Sequence, residues 1–184
     1  FENLNLGYYL VDSSVGALCG LGTTSEHIII NEKNSVPKVD KDIVYYDGNG
    51  NVIQNVDANN TFVGKTVYYQ TTIEVGLGAE DYVLYDKMDN GLTYTEDSLT
   101  VKIGDTTLGE KDYSVEFNKD GYTFIITFIR ELNDSDVIVV SYEAVLNKNA
   151  VTSGTDAQNP VPNKNTATLK YGDENEVSSV VKTY

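Results

Sequence analysis

The chain has 184 residues, enough for one large β-domain with a core, or for such a domain with fragments of its neighbours. Its 13 Lys and Arg stand against 28 Asp and Glu for a net charge of -15, which argues against a nucleic-acid partner, because neutralising phosphates takes clustered basic side chains. Fourteen Tyr, no Trp and three Pro, with abundant Val and Thr, favour strands over helices, and Cys19 is the only cysteine, so neither an intrachain disulfide nor a Cys-based metal site is expected.

Taken in order, Phe1 to Gly7 leads into a strand at Tyr8-Tyr9-Leu10-Val11, then a small-residue loop through Cys19 and Gly22, then a second strand at His27 to Asn31. Two strands do not build an independent core, so residues 1-35 are expected to be the closing strands of a preceding β-sandwich. From there, strands recur at the spacing of a sandwich: Lys38 to Tyr46, Thr66 to Val75, Tyr82 to Met88, Ser98 to Ile103, Tyr113 to Phe117, Tyr122 to Ile129, Val137 to Leu146 and Thr166 to Tyr171. Asp47-Gly48-Asn49-Gly50-Asn51 and Asp89-Asn90-Gly91 read as turns. The polar segment from Asn147 to Lys164 is long enough to cross the end of a sandwich. Residues 36-172 are thus expected to form the principal domain, and 173-184 a linker with the first strand of a further one. No stretch has the apolar length of a membrane span.

Three polar residues break the alternation. Successive strand residues point to opposite faces, so Lys41 shares a row with Val39 and Ile43, Asp86 with Leu84 and Met88, and Asn165 with Ala167, Leu169 and Tyr171. Each belongs to an apolar, core-facing row. If they meet there, the chemistry available is condensation of the lysine amine with the asparagine amide. Burial disfavours the ammonium and so supplies a neutral nucleophile. A buried carboxyl is held protonated and can donate to the amide oxygen, and a fold that holds amine and amide in contact makes the step intramolecular. Without such a meeting, each has an ordinary role: a snorkelling lysine, a turn cap at Asp86, a loop cap at Asn165. Lys38 and Asn163 are the near-neighbour alternatives, set aside on strand parity.

The run Tyr82-Val83-Leu84-Tyr85-Asp86-Lys87-Met88-Asp89-Asn90-Gly91-Leu92-Thr93-Tyr94, the strand Ser141-Tyr142-Glu143-Ala144, the start Asn165-Thr166-Ala167 and the preceding Gly64-Lys65-Thr66-Val67-Tyr68 together resemble the isopeptide-forming middle domain of Gram-positive fimbrial (pilus) shaft subunits. The resemblance covers roughly Val36 to Tyr171. It implies an all-β, immunoglobulin-like sandwich of the Cna type and an autocatalytic Lys-Asn isopeptide bond between Lys41 and Asn165. The implied acid is Asp86, with Glu143 as the alternative, since related domains of another subtype use a glutamate. It further implies secretion to a cell-wall pilus, linkage to neighbouring subunits by sortase through residues outside this segment, and no catalysis beyond the single self-directed turnover. The rival reading is an adhesin domain whose Tyr-rich face or Asn147-Lys164 loop grips a host protein or glycan.

Other constellations are weaker. The Asp47 loop begins like a calcium loop, but Val52 stands where glycine is needed and no bidentate Glu arrives in register. His27, the only histidine, has no Ser or Cys beside it in a nucleophile motif. Neither a cofactor nor a metal is expected.

Overall fold

The computed structural model describes residues 5, 7-12, 18-23, 35-153 and 161-184. Among these, fifteen strands follow in order: β1 (Gly7–Asp12), β2 (Leu18–Thr23), β3 (Lys38–Tyr46), β4 (Val52–Val56), β5 (Ala58–Asn59), β6 (Thr66–Glu74), β7 (Val83–Met88), β8 (Leu92–Tyr94), β9 (Thr100–Ile103), β10 (Thr106–Thr107), β11 (Tyr113–Phe117), β12 (Phe124–Phe128), β13 (Val137–Leu146), β14 (Asn163–Tyr171) and β15 (Asn175–Thr183). A short 3-10 helix, Lys148–Ser153, follows β13.

β1 and β2 form an antiparallel hairpin of their own. Cys19 and Gly22 therefore lie in a strand rather than the expected loop, while the strand expected at His27 to Asn31 falls outside the described residues. The remaining strands make two sheets. One runs in the order β10-β9-β13-β6-β3-β4, with β8 also on β13, and the other runs β11-β12-β7-β14-β15-β5. The long strands alternate cleanly. On β13, Ile138, Val140, Tyr142, Ala144 and Leu146 are buried, while Ser141, Glu143 and Val145 face the other way. On β14 the inward row is Asn163, Asn165, Ala167, Leu169 and Tyr171. The inner faces interdigitate as in a β-sandwich, and the core runs through Ile43, Tyr69, Ile73, Leu84, Phe124, Ile126, Ile138, Val140 and Leu169, all essentially inaccessible.

One expectation about boundaries is corrected. Residues 175-183 do not begin another domain: β15 pairs antiparallel with β14 over its whole length, from Tyr171 opposite Asn175 to Asn163 opposite Thr183. Its Val181 and Thr183 are buried in the same core. The acidic stretch before it is the tight connection of this hairpin, in which Gly172 and Glu174 take positive φ. Composition alone made that connection look like a linker. β4 and β8 are likewise additions to the expected strands. Both are short, and the exposure of β4 on nearly every residue leaves it without the period-2 signal that marks a half-buried strand.

Candidate functional site

Register brings the three odd polar residues together. Lys41 sits opposite Thr71 of the adjacent β6 in one sheet. In the facing sheet, Asp86 of β7 is opposite Ala167 of β14, and Asn165 is opposite Met88 one step further along the same inner rows. The side chains of Lys41 and Asp86 have no solvent exposure at all, and Asn165 is equally enclosed.

Lys41 Nζ donates to Asp86 Oδ2 at 2.6 Å, to the Tyr142 hydroxyl at 2.8 Å and to Thr71 Oγ1 at 3.2 Å. The Tyr142 hydroxyl donates to Asp86 Oδ2 at 2.7 Å and accepts from Asn165 Nδ2 at 2.7 Å. A single phenol oxygen thus touches amine, acid and amide. Two buried oxygens in the cluster are left without partners, Asp86 Oδ1 and Asn165 Oδ1. A buried acceptor without a donor is costly, and a proton placed on the carboxyl would give it a hydrogen to offer.

The electrostatics favour that neutral arrangement. Burial pushes the Lys41 amine below the ordinary lysine range, opposed by the charge and hydrogen bond of Asp86. Burial pushes Asp86 above the ordinary carboxyl range, opposed by Lys41 and by the Tyr142 hydrogen bond. The faces of the Tyr142 and Tyr69 rings, with centroids 4.9 and 5.5 Å from Nζ, pull the other way by attracting the ammonium. That attraction amounts to about 2 kcal/mol when desolvated, against a penalty of several kcal/mol for each dehydrated ion. Moving one proton across the 2.6 Å Lys41–Asp86 contact converts an ion pair into a free amine and a carboxylic acid without any exchange with solvent.

The alternatives fall elsewhere. Glu143 lies on the opposite face of β13 from Tyr142; its backbone N–H donates to Ser98 Oγ and its carbonyl accepts from the Thr95 N–H. It does not enter the cluster. Lys38 is exposed and paired with Glu74 at 2.7 Å. Asn163, by contrast, is on the same inward row as Asn165, so the parity argument against it was mistaken. What separates it from Lys41 is its own engagement. Its amide donates to the Thr183 carbonyl at 3.3 Å, and its Oδ1 lies 1.8 Å from where a Cβ on Gly91 would be. Only glycine at 91 lets the Asp89-Asn90-Gly91 turn close over that side chain.

Tyr142 and Thr71 are the site residues that sequence reasoning missed. For Tyr142 a signal existed: a phenol in a row otherwise made of Ile138, Val140, Ala144 and Leu146 must find a partner for its hydroxyl. The Asp47 carboxylate accepts from Asn49 N, Asn51 N and Asn51 Nδ2 at 2.8 to 3.0 Å, the pattern of an ordinary Asx turn.

No family model matches the sequence, and no curated protein matches it. The fold is that of domains in Gram-positive pilus backbone proteins. The chain superposes on BcpA, the major pilin subunit of Bacillus cereus, with a TM-score of 0.63 at 17% identity, covering 96% of this chain and 47% of that one. It superposes on the pilus backbone RrgB from Streptococcus pneumoniae with a TM-score of 0.57 at 24% identity, covering 76% and 32%. The N-terminal domain of the Streptococcus gordonii adhesin Sgo0707 is similar at a TM-score of 0.56 and 25% identity, covering 80% and 31%. The chain therefore spans between about a third and a half of these neighbours' lengths.

Proposed function

We propose that this chain is a structural segment of a sortase-assembled cell-surface pilus, stabilised by an isopeptide bond that Lys41 and Asn165 form without a separate enzyme. The observation that carries the reading is the meeting of a buried amine, a buried acid and a buried amide around one hydroxyl. The likeness of fold to pilus backbone proteins supports the setting.

The geometry supports the following course for the reaction. Lys41 passes a proton to Asp86 and becomes a neutral amine beside the Asn165 carboxamide. Asp86, now protonated, donates to Asn165 Oδ1 and polarises the carbonyl. Nζ attacks Cγ, and the carbonyl π electrons move to Oδ1. As they return, the Cγ–Nδ2 bond breaks and ammonia leaves. The enclosed interior excludes water, which would otherwise solvate the ammonium or compete as a nucleophile. Each molecule reacts once. Polymerisation would run through linkages to neighbouring subunits outside this segment.

Intact mass of the folded chain tests this. The wild-type chain is expected to be lighter than its sequence by one ammonia, Lys41→Ala and Asn165→Ala to carry the full mass, and Glu143→Ala to keep the deficit because its side chain faces away from the cluster. A wild-type chain at full sequence mass would end the reading.

One feature favours the adhesin reading as a second role. A cleft of about 1110 Å³ opens between β8 and the β11–β12 edge, lined by Tyr94, Tyr113 and Tyr122 and by Glu96 and Asp97. A glycan-array or matrix-protein binding screen with the intact chain, repeated with Tyr113→Ala, tests it.

A further inference from the structure

The condensation leaves one proton transfer to be assigned. Nζ of Lys41 gives up a hydrogen on becoming an amide nitrogen, and Nδ2 of Asn165 must gain one to depart as ammonia. Asp86 accepts the first proton over its 2.6 Å contact, but its hydrogen bonds run to Lys41 and to Tyr142. Tyr142 is the group that reaches the leaving nitrogen, at 2.7 Å.

Resting on the cross-link reading above, we propose that Tyr142 is a catalytic residue of the condensation, its hydroxyl relaying the proton from Asp86 to the departing nitrogen of Asn165. In the tetrahedral adduct the first proton of Asp86 has moved onto Asn165 Oδ1, so the carboxylate is free to take at Oδ2 the extra hydrogen of the attacking nitrogen. The Tyr142 hydroxyl turns its own hydrogen toward Nδ2 and transfers it there, while its oxygen takes the hydrogen from Asp86 Oδ2. The Cγ–Nδ2 bond then breaks with its electron pair on nitrogen, and the Oδ1 electrons restore the carbonyl as Oδ1 returns its proton to Asp86. Counted from the free amine and the protonated acid, Nζ has lost one hydrogen, Nδ2 has gained one, and Tyr142 is unchanged; Asp86 ends protonated, keeping the proton that the starting ammonium gave it. Because the phenol gives and takes in one motion, it never has to ionise. That matters in an interior where burial, then Asp86, holds its pKa well above the usual value.

The packing around the ring suits a fixed relay. Phe124 meets Tyr142 edge-on at 5.0 Å and 88°, and Tyr69 lies against it at 5.5 Å. The ring is wedged between aromatic neighbours from both sheets, so its hydroxyl is aimed rather than free to swing. The other hydroxyls nearby are differently placed. Thr71 contacts Lys41 at 3.2 Å; Tyr69 also lies near the Asn165 side chain, but its 3.2 Å hydrogen bond is shared with Thr183, whereas Tyr142 is hydrogen-bonded to both Asp86 and Asn165.

The test is a time course of intact mass on the full chain made by cell-free synthesis, comparing wild type with Tyr142→Phe, which keeps the ring and removes only the oxygen. The expected result is a Tyr142→Phe chain that melts cooperatively yet loses ammonia more slowly by on the order of a hundredfold, the scale of general acid–base assistance. A folded Tyr142→Phe chain that loses ammonia within about threefold of the wild-type rate would overturn the relay while leaving the cross-link intact, since such assistance is far larger. A wild-type chain that never loses ammonia would overturn both. Should Tyr142→Phe fail to fold, a fluorinated tyrosine placed at 142 decides instead. It keeps the ring and hydroxyl but makes the phenol more acidic, so a changed rate supports the relay and an unchanged rate removes it.

Discussion

Lys41 and Asp86 hold each other's titration in check, and a variant that removes one leaves the other to respond to pH alone. In Lys41→Ala the buried Asp86 keeps a pKa above the ordinary 3.8, because burial is the larger influence and the lysine that opposed it is gone. The folded chain then binds the proton more tightly than the unfolded one. The stabilisation is complete below about pH 3.8 and is lost as pH rises through the folded value. In Asp86→Ala, Lys41 keeps a pKa below 10.5, so its contribution is present above that value and is lost as pH falls. Relative to Asn165→Ala, which retains both groups, melting temperature should therefore fall with rising pH in the first variant and rise in the second. Thermal melts between about pH 5 and 9 check this, since that window lies between the two reference values. Parallel slopes would mean that the two groups are solvated rather than buried. The inward direction of Lys41, Asp86 and Asn165 was legible from parity alone, because each interrupts a row of apolar residues at spacing two. For Tyr142 the sequence shows only that a phenol on an apolar row needs a partner; which partner is settled by the residues facing it from the other sheet. Asn163 was dismissed against its own parity, since it stands two residues before Asn165 and shares its row; what sets it apart is what it touches.

At the scale of elements, β15 closes the site. Its Ser179 Oγ accepts the Lys41 backbone N–H at 3.0 Å, its Val181 lies opposite Asn165, and its Thr183 shares a hydrogen bond with Tyr69. Removing the strand would open the Lys41 side of the core to water, and a hydrated amine is protonated and no longer a nucleophile. A chain ending at Gly172 is expected to retain its full mass, read by intact-mass measurement. If it still loses ammonia at the wild-type rate, β15 is a covering and nothing more. The long strands were legible as runs rich in β-branched and aromatic residues bounded by turn residues, as on β13, which is apolar on both rows apart from Ser141 and Glu143. β15 alternates, but its outward row of Glu176, Ser178 and Val180 is exposed, and the acidic turn ahead of it looks like a break between domains. Its place at the side of β14 is settled by the pairing of Tyr171 with Asn175, a tertiary fact that composition does not carry.

Over the whole molecule, a bond from Lys41 to Asn165 encloses β3 through the first residues of β14 in one covalent loop. By chain entropy, closing a loop of about 120 residues is worth close to 5 kcal/mol, so Asn165→Ala should melt roughly 10 to 20 °C lower, with the gap unchanged in reductant. The route of force is more specific. The bond does not join the first and last strands, because β15 lies beyond Asn165 in sequence and its Val181 sits beside that residue. Tension applied at Tyr184 therefore pulls apart the two ends of the β14–β15 hairpin that already lie next to each other, a geometry that unzips hydrogen bonds one pair at a time. Everything between Lys41 and Asn165 is bypassed. A single wild-type molecule stretched between Lys38 and Tyr184 should release the hairpin, roughly 60 Å of chain, and nothing from the enclosed loop; Asn165→Ala should release a further extension of roughly 400 Å. The shielding is lost if the long release also appears in the wild-type trace. Retention of the hairpin under the same load would show instead that the pairing of β5 with β15 secures the last strand without covalent help.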